Sequence, residues 1–261
     1  MDISPGDTID NLVGENVRIA KVLSKHGIDF CSEGNKALKD ACDEAQVSLR
    51  LMLREIRDTC HYSEVVMPDF YSLRIDDLTR FIEKYHHQNA DDAAVFIKTS
   101  ISRLVRLYGR QYPELVEIKN IFDEMTGHLS VHMKHEEFIV FPYIRQMVKK
   151  GRKVKSTIYK SVKSPIGAMM TDHETETLCL KKLDDLTHHY SPPAEGGTAF
   201  KITYAAMREL EKDLHAHLAL ENEVLFPKAL EMEISFNKAT WNPKRNKAIS
   251  AILNVNTHYV F

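Results

Sequence analysis

One eleven-residue pattern occurs twice in this chain, as HMKHEEFIVFP from residue 132 and as HLALENEVLFP from residue 217. Each copy reads His, three residues, Glu, four residues, Phe-Pro. Around the copies, apolar residues recur at intervals of three and four, the period of an amphipathic helix. Ahead of the first copy the stripe is Ile118, Phe122, Met125 and Leu129, and its next members are His132 and Glu136. Ahead of the second it is Met207, Leu210 and Leu214, continued by His217, Glu221 and Leu225. Steps of three and four keep these residues on one helix face. A His and a Glu therefore occupy positions that the period assigns to the core. A lone buried carboxylate costs several kcal/mol unless it is paired, protonated or bound to a metal. No Lys or Arg lies on either stripe near these positions. A cation is the simplest partner.

Strand-like alternation is absent, and the few glycines and prolines fall at a handful of breaks, so the chain reads as all-α. Residues 1–62 read as a small helical domain, in which Asp7 or Thr8 caps a helix that stops at Gly27. Residues 63–72 read as a linker broken by Pro68, and residues 73–231 as four long helices in an antiparallel bundle. The four span about 73–108, 113–140, 160–189 and 198–230, with Phe141-Pro142 kinking or restarting the second. Residues 232–261 form a C-terminal extension, with the single Trp241 and a basic PKRNK patch.

The first and third helices each offer a His after an apolar stripe. His86 follows Leu78 and Ile82, and His173 follows Ile166, Met169 and Met170. At the helical rise, His86 lies roughly 35 Å from the first hairpin turn and His132 roughly 29 Å back from it. In the second hairpin the corresponding lengths are roughly 26 and 29 Å. Four His and two Glu thus fall at one level, and each half of the bundle supplies one His from its first helix and a His plus Glu from its second. The repeat reads as a pseudo-twofold duplication around two metal ions bridged by the carboxylates. Imidazole and carboxylate donors without thiolates favour iron over structural zinc. Of the other candidates, His128 sits one turn before His132 on the same face and is a minor candidate for a neighbour of the ligands. His87, His135, His188, His189 and His215 read as surface residues, and Glu137 and Glu223 as solvated.

These residues resemble the hemerythrin-like domain of the iron–sulfur cluster repair di-iron proteins (Repair of Iron Centres), over roughly residues 6–230. The resemblance rests on YHH at 85, DHE at 172 and the two repeats, with GDTIDNLVGENVRIAKVLSKHGIDFC similar to that family's small N-terminal domain. It implies His86, His132, Glu136, His173, His217 and Glu221 as ligands of two irons. It also implies a role in repairing clusters damaged by oxidative or nitrosative stress, with damaged iron–sulfur proteins as clients. Two departures stand out. Thr177 takes the place of a second His on the third helix, against simple oxygen carriage. The N-terminal turn carries Cys31-Ser32 rather than paired cysteines, leaving Cys31 as the one candidate transfer thiol there. A di-iron nitric oxide reductase and an oxygen or nitric oxide sensor are the alternative readings of the same site.

Composition narrows the setting. A net charge of −2 gives no pull toward nucleic acid, and no apolar run is long enough to span a membrane. Four unpaired-looking cysteines and an N-terminus without a leader pattern fit a cytoplasmic protein, with homodimerisation left open.

Overall fold

The structure, a computed structural model, describes residues 3–16, 18–30, 33–61, 68–152, 154 and 161–237. Cys31, Trp241 and residues 63–67 of the 63–72 linker lie outside the described residues. Among those described, the chain is all-α, with a single isolated antiparallel bridge between Thr8 and Ala37.

Two compact units are formed. The first comprises the described residues of 1–67, 92–124 and 181–210, and the second those of 68–91, 125–180 and 211–237. In the first, α1 (Ile9–Glu15), α2 (Arg18–Lys25), α3 (Leu38–Glu44) and α4 (Leu49–His61) pack around Ile9, Leu12, Leu23, Leu38 and Met52. Thr8 caps α1 by accepting a hydrogen bond from the Asn11 amide at 3.3 Å. Asn16, in extended backbone, separates α1 from α2, so the first sequence-predicted helix is two. In the same unit Phe30 stacks on Phe96, and Arg103 donates to Asp29 at 2.8 Å.

Four uninterrupted helical runs follow the N-terminal helices. The first is α5 (Ile75–Phe81), a π-helical turn (Ile82–His87) and α6 (Gln88–Tyr108). The second is α7 (Glu114–His135), a π turn (Glu136–Val140) and α8 (Phe141–Lys150), ended by Gly151 in left-handed backbone. The third is α9 (Lys163–Leu186). The fourth is α10 (Gly197–Leu220), a π turn (Glu221–Leu225) and α11 (Phe226–Asn237). Helix therefore continues through Phe141-Pro142 by way of a π turn, without a restart, and past Leu230 to Asn237.

The π turns in the repeats have a direct cause. A helix-interior proline lacks an N–H, and its ring clashes with the carbonyl four residues back. Pro142 and Pro227 are each preceded by a widened turn, in which the Phe141 amide donates to the Glu136 carbonyl and the Phe226 amide to that of Glu221. The Glu of each repeat is thus the first residue of a π turn.

In the second unit an apolar cluster of Leu78, Ile82, Phe141, Ile144, Met147, Ile166, Met169 and Phe226 packs beside the polar residues of the repeats. Lys228 reaches from α11 to the carbonyls of Phe70, Tyr71 and Leu73 and fixes the segment leading into α5.

Candidate metal centre

All the residues of the centre belong to the second unit. His87 comes from the first helical run, His132 and Glu136 from the second, His173 from the third, and His217 and Glu221 from the fourth. All six are buried, with Glu136, His217 and Glu221 showing 0% exposure. Two groups have ligand atoms within 4.8 Å of one another: His87, Glu136, His217 and Glu221 form one, and His132, Glu136, His173 and Glu221 the other. Both carboxylates belong to both groups.

The geometry repeats about a pseudo-twofold. His87 Nε2 lies 3.4 Å from Glu136 Oε2, and His173 Nε2 lies 3.1 Å from Glu221 Oε2. Within the repeats, His132 Nε2 is 3.4 Å from Glu136 Oε2 and His217 Nε2 is 3.1 Å from Glu221 Oε1. His87 and His217 meet at 5.0 Å and 59°, while His132 and His173 meet at 4.9 Å and 58°. The Phe of each Phe-Pro stacks on the imidazole from the preceding run, Phe141 on His87 and Phe226 on His173. The residue after each Glu completes the pattern. Nδ1–H of His87 donates to Glu137 and that of His173 to Asn222, each at 3.0 Å. With the proton held at Nδ1, the Nε2 lone pair faces the centre, the tautomer a metal requires.

Five of the six ligands expected from the sequence are gathered here: His132, Glu136, His173, His217 and Glu221. His86 is not. Its Nδ1 lies 3.0 Å from Asp213, and its ring stacks on His217 at 5.5 Å and 9°. The π turn Ile82–His87 explains the difference. It adds a residue to the turn, so the core stripe passes from Ile82 to His87 and Ala90. His87, expected at the surface, is 1% exposed. Glu137 was expected in solvent and instead bridges His87 and Lys134. His128, the minor candidate for a neighbour of the ligands, is exposed, as are His188, His189 and His215.

The donor set fits a cation. Both oxygens of Glu136, Glu176 and Glu221 are buried without a hydrogen bond among the described residues, as are His87 Nε2 and both nitrogens of His217. The His132–Glu136 and His217–Glu221 contacts, at 3.4 and 3.1 Å, lie within ion-pair reach yet fail hydrogen-bond geometry. His132 and His173 also bring their Nε2 atoms within 3.2 Å. Two ring nitrogens that close need a proton or a cation between them.

Without a metal, protons supply that charge. Burial disfavours a charged His132, but Glu136, with Glu176 and Glu221 beyond it, outweighs burial and pushes the imidazole up to about 10. His87 and His173 are raised by the same contest between burial and the carboxylates. Burial opposes the Glu221 charge, yet His217 and His173 hold its carboxyl well below the usual range.

A buried layer of four imidazoles and shared carboxylates in a helical scaffold defines a cation-binding helical protein. Residues 26–229 match the hemerythrin HHE cation binding domain, and the chain belongs to that family. Among its relatives, the iron-sulfur cluster repair protein ScdA of Staphylococcus epidermidis is 24% identical over 229 residues, covering 87% of this chain and 99% of the relative. The iron-sulfur cluster repair protein YtfE of Escherichia coli is 25% identical over 217 residues, covering 83% and 93%. No helix among the described residues is long and apolar enough to cross a membrane.

Proposed function

We propose that this protein holds two iron ions and supplies iron to iron–sulfur clusters damaged by oxidative or nitrosative stress, acting in the cytoplasm. In this reading His87 and His217 hold one iron, His132 and His173 hold the other, and Glu136 and Glu221 reach both. The observation that carries it is the pair of shared, fully buried carboxylates with no hydrogen-bond partner among four imidazoles. Relatives named as iron–sulfur cluster repair proteins, matched over nearly their whole length, support the role.

The bound iron would be the material delivered to a client cluster. The chain's own residues make that holding reversible. Glu137 and Asn222 fix the His87 and His173 rings through Nδ1, and Phe141 and Phe226 set their planes. When the site empties, the carboxylates raise the proton affinity of His132, His87 and His173, so bound protons offset part of the buried negative charge that the cation leaves behind.

The test is reactivation of an enzyme whose iron–sulfur cluster has been damaged by nitric oxide. The iron-loaded protein should restore activity. A variant carrying both Glu136→Ala and Glu221→Ala should hold no iron and restore none, and full reactivation by that iron-free variant would refute the proposal.

A further inference from the structure

Glu176 belongs to neither group of four, yet it has the attributes of a ligand. It lies on α9 one turn after His173 and is 3% exposed, and among the described residues neither of its carboxylate oxygens has a hydrogen-bond partner. Beyond the effect of burial, the groups acting most strongly on it are His132 and then His173, the two imidazoles of one half of the centre. Among the described residues, no Lys or Arg side chain donates to it.

The pseudo-twofold supplies the comparison. Three residues after His173 the third run places Glu176, and three residues after His87 the first run places Ala90, which is 1% exposed. The two helices offer equivalent buried positions. One carries a methyl group and the other a carboxylate with no partner of its own. A buried carboxylate at such a position needs a proton or a cation, whereas an alanine there needs nothing.

We infer that Glu176 is a third carboxylate of the centre, completing the shell of the cation held by His132 and His173, and that this half binds its cation more tightly than the half facing Ala90. The inference rests on the ligand assignment proposed above. With Glu176, the His132/His173 half has three carboxylates against two in the other, and a further anionic oxygen donor favours a hard divalent cation.

The experiment is an anaerobic titration of the metal-free full-length protein with ferrous iron, following heat and iron bound per chain. It compares wild type, Glu176→Leu, Glu176→Gln and His87→Ala. Wild type should take up two irons in two resolvable steps. Glu176→Leu should weaken the tighter step by about tenfold or more, and Glu176→Gln, which keeps the shape without the charge, should weaken it in the same direction. His87→Ala should remove the weaker step and leave the tighter one. Melting of the metal-free protein gives a readout independent of binding: Glu176→Leu should melt higher than wild type, because an unpartnered buried carboxylate is gone. If both Glu176 variants bind two irons as wild type does, this inference is overturned and the ligand assignment stands. If wild type binds no iron, both are overturned. If Glu176→Leu melts lower when metal-free and weakens both steps equally, Glu176 supports the fold and is not a ligand.

Discussion

The half of the centre built on His87 and His217 and the half built on His132 and His173 share a skeleton and differ in trim. In both, an imidazole from one run and an imidazole from the repeat meet two carboxylates at closely similar spacings and angles. The trim diverges at three places. His87 is oriented by the carboxylate of Glu137, while His173 is oriented by the amide of Asn222. Asp172 stands 3.4 Å from Nδ1 of His132, whereas the matching position in the first run is His86, stacked on His217. Glu176 stands opposite Ala90. Pointing lone pairs at a cation fixes the skeleton closely, while charge in the surrounding shell can vary and thereby make two sites unequal.

The harshest way to break that comparison is to remove an imidazole from one half. His87→Ala should lose one iron of two and leave the other, which metal analysis of purified protein will show. His86→Ala tests the register set by the π turn. It should retain both irons and weaken the His217 half by roughly 10–100-fold, the usual cost of losing an orienting neighbour. Loss of one iron in His86→Ala and retention of both in His87→Ala would reverse the assignment.

Exchanging the orienting groups sharpens the comparison further. Glu137→Gln should weaken the His87 half by roughly tenfold, and Asn222→Asp should strengthen the His173 half by a similar factor, since a carboxylate partner raises the basicity of a ligating imidazole. Competitive titration with a chelator reads both.

Protonation gives a smaller effect with a definite sign. His132 stands at about 10 when metal-free, above the roughly 6.5 of an unfolded imidazole. Its contribution to stability is therefore fully present below about pH 6.5 and is lost as pH rises through about 10. His87 and His173 shift in the same direction. The metal-free protein should lose melting temperature between those limits while the iron-loaded protein changes less. Iron uptake at pH 7 should release protons, measurable in weakly buffered solution with an indicator dye.

The smallest effect is expected from the stacking rings. Phe141→Leu should loosen the His87 half and Phe226→Leu the His173 half, each at a cost of about 1 kcal/mol in stability. Denaturant unfolding of the metal-free variants will measure it.

Much of this arrangement was legible in the sequence, because helical periodicity is strict wherever a core lies on one side. The stripes running into His132, Glu136, His217 and Glu221 foretold burial of four polar residues, and the structure buries all four. The α9 stripe of Ile166, Met169 and His173 continues through Glu176 to Leu180 and Leu183, so Glu176 carried the same signal. Periodicity failed at the π turns, where one extra residue shifts the register. Pro142 and Pro227 announce two of them, and through those turns Glu137 and Asn222 come to face imidazoles, although i+1 neighbours ordinarily point elsewhere. The turn at Ile82–His87 contains no proline, and a reading at period 3.6 therefore selected His86 over His87.

The central claim is that Glu136 and Glu221 serve both halves at once. The most direct test is the iron content of protein purified anaerobically, wild type beside Glu136→Ala and Glu221→Ala, by plasma mass spectrometry. The shared arrangement predicts about two irons per chain in wild type and close to none in either variant, because each carboxylate belongs to both groups of four. Loss of a single iron in each variant would contradict sharing and make the halves independent sites. Zinc, or no metal, in the wild type would contradict the iron centre itself.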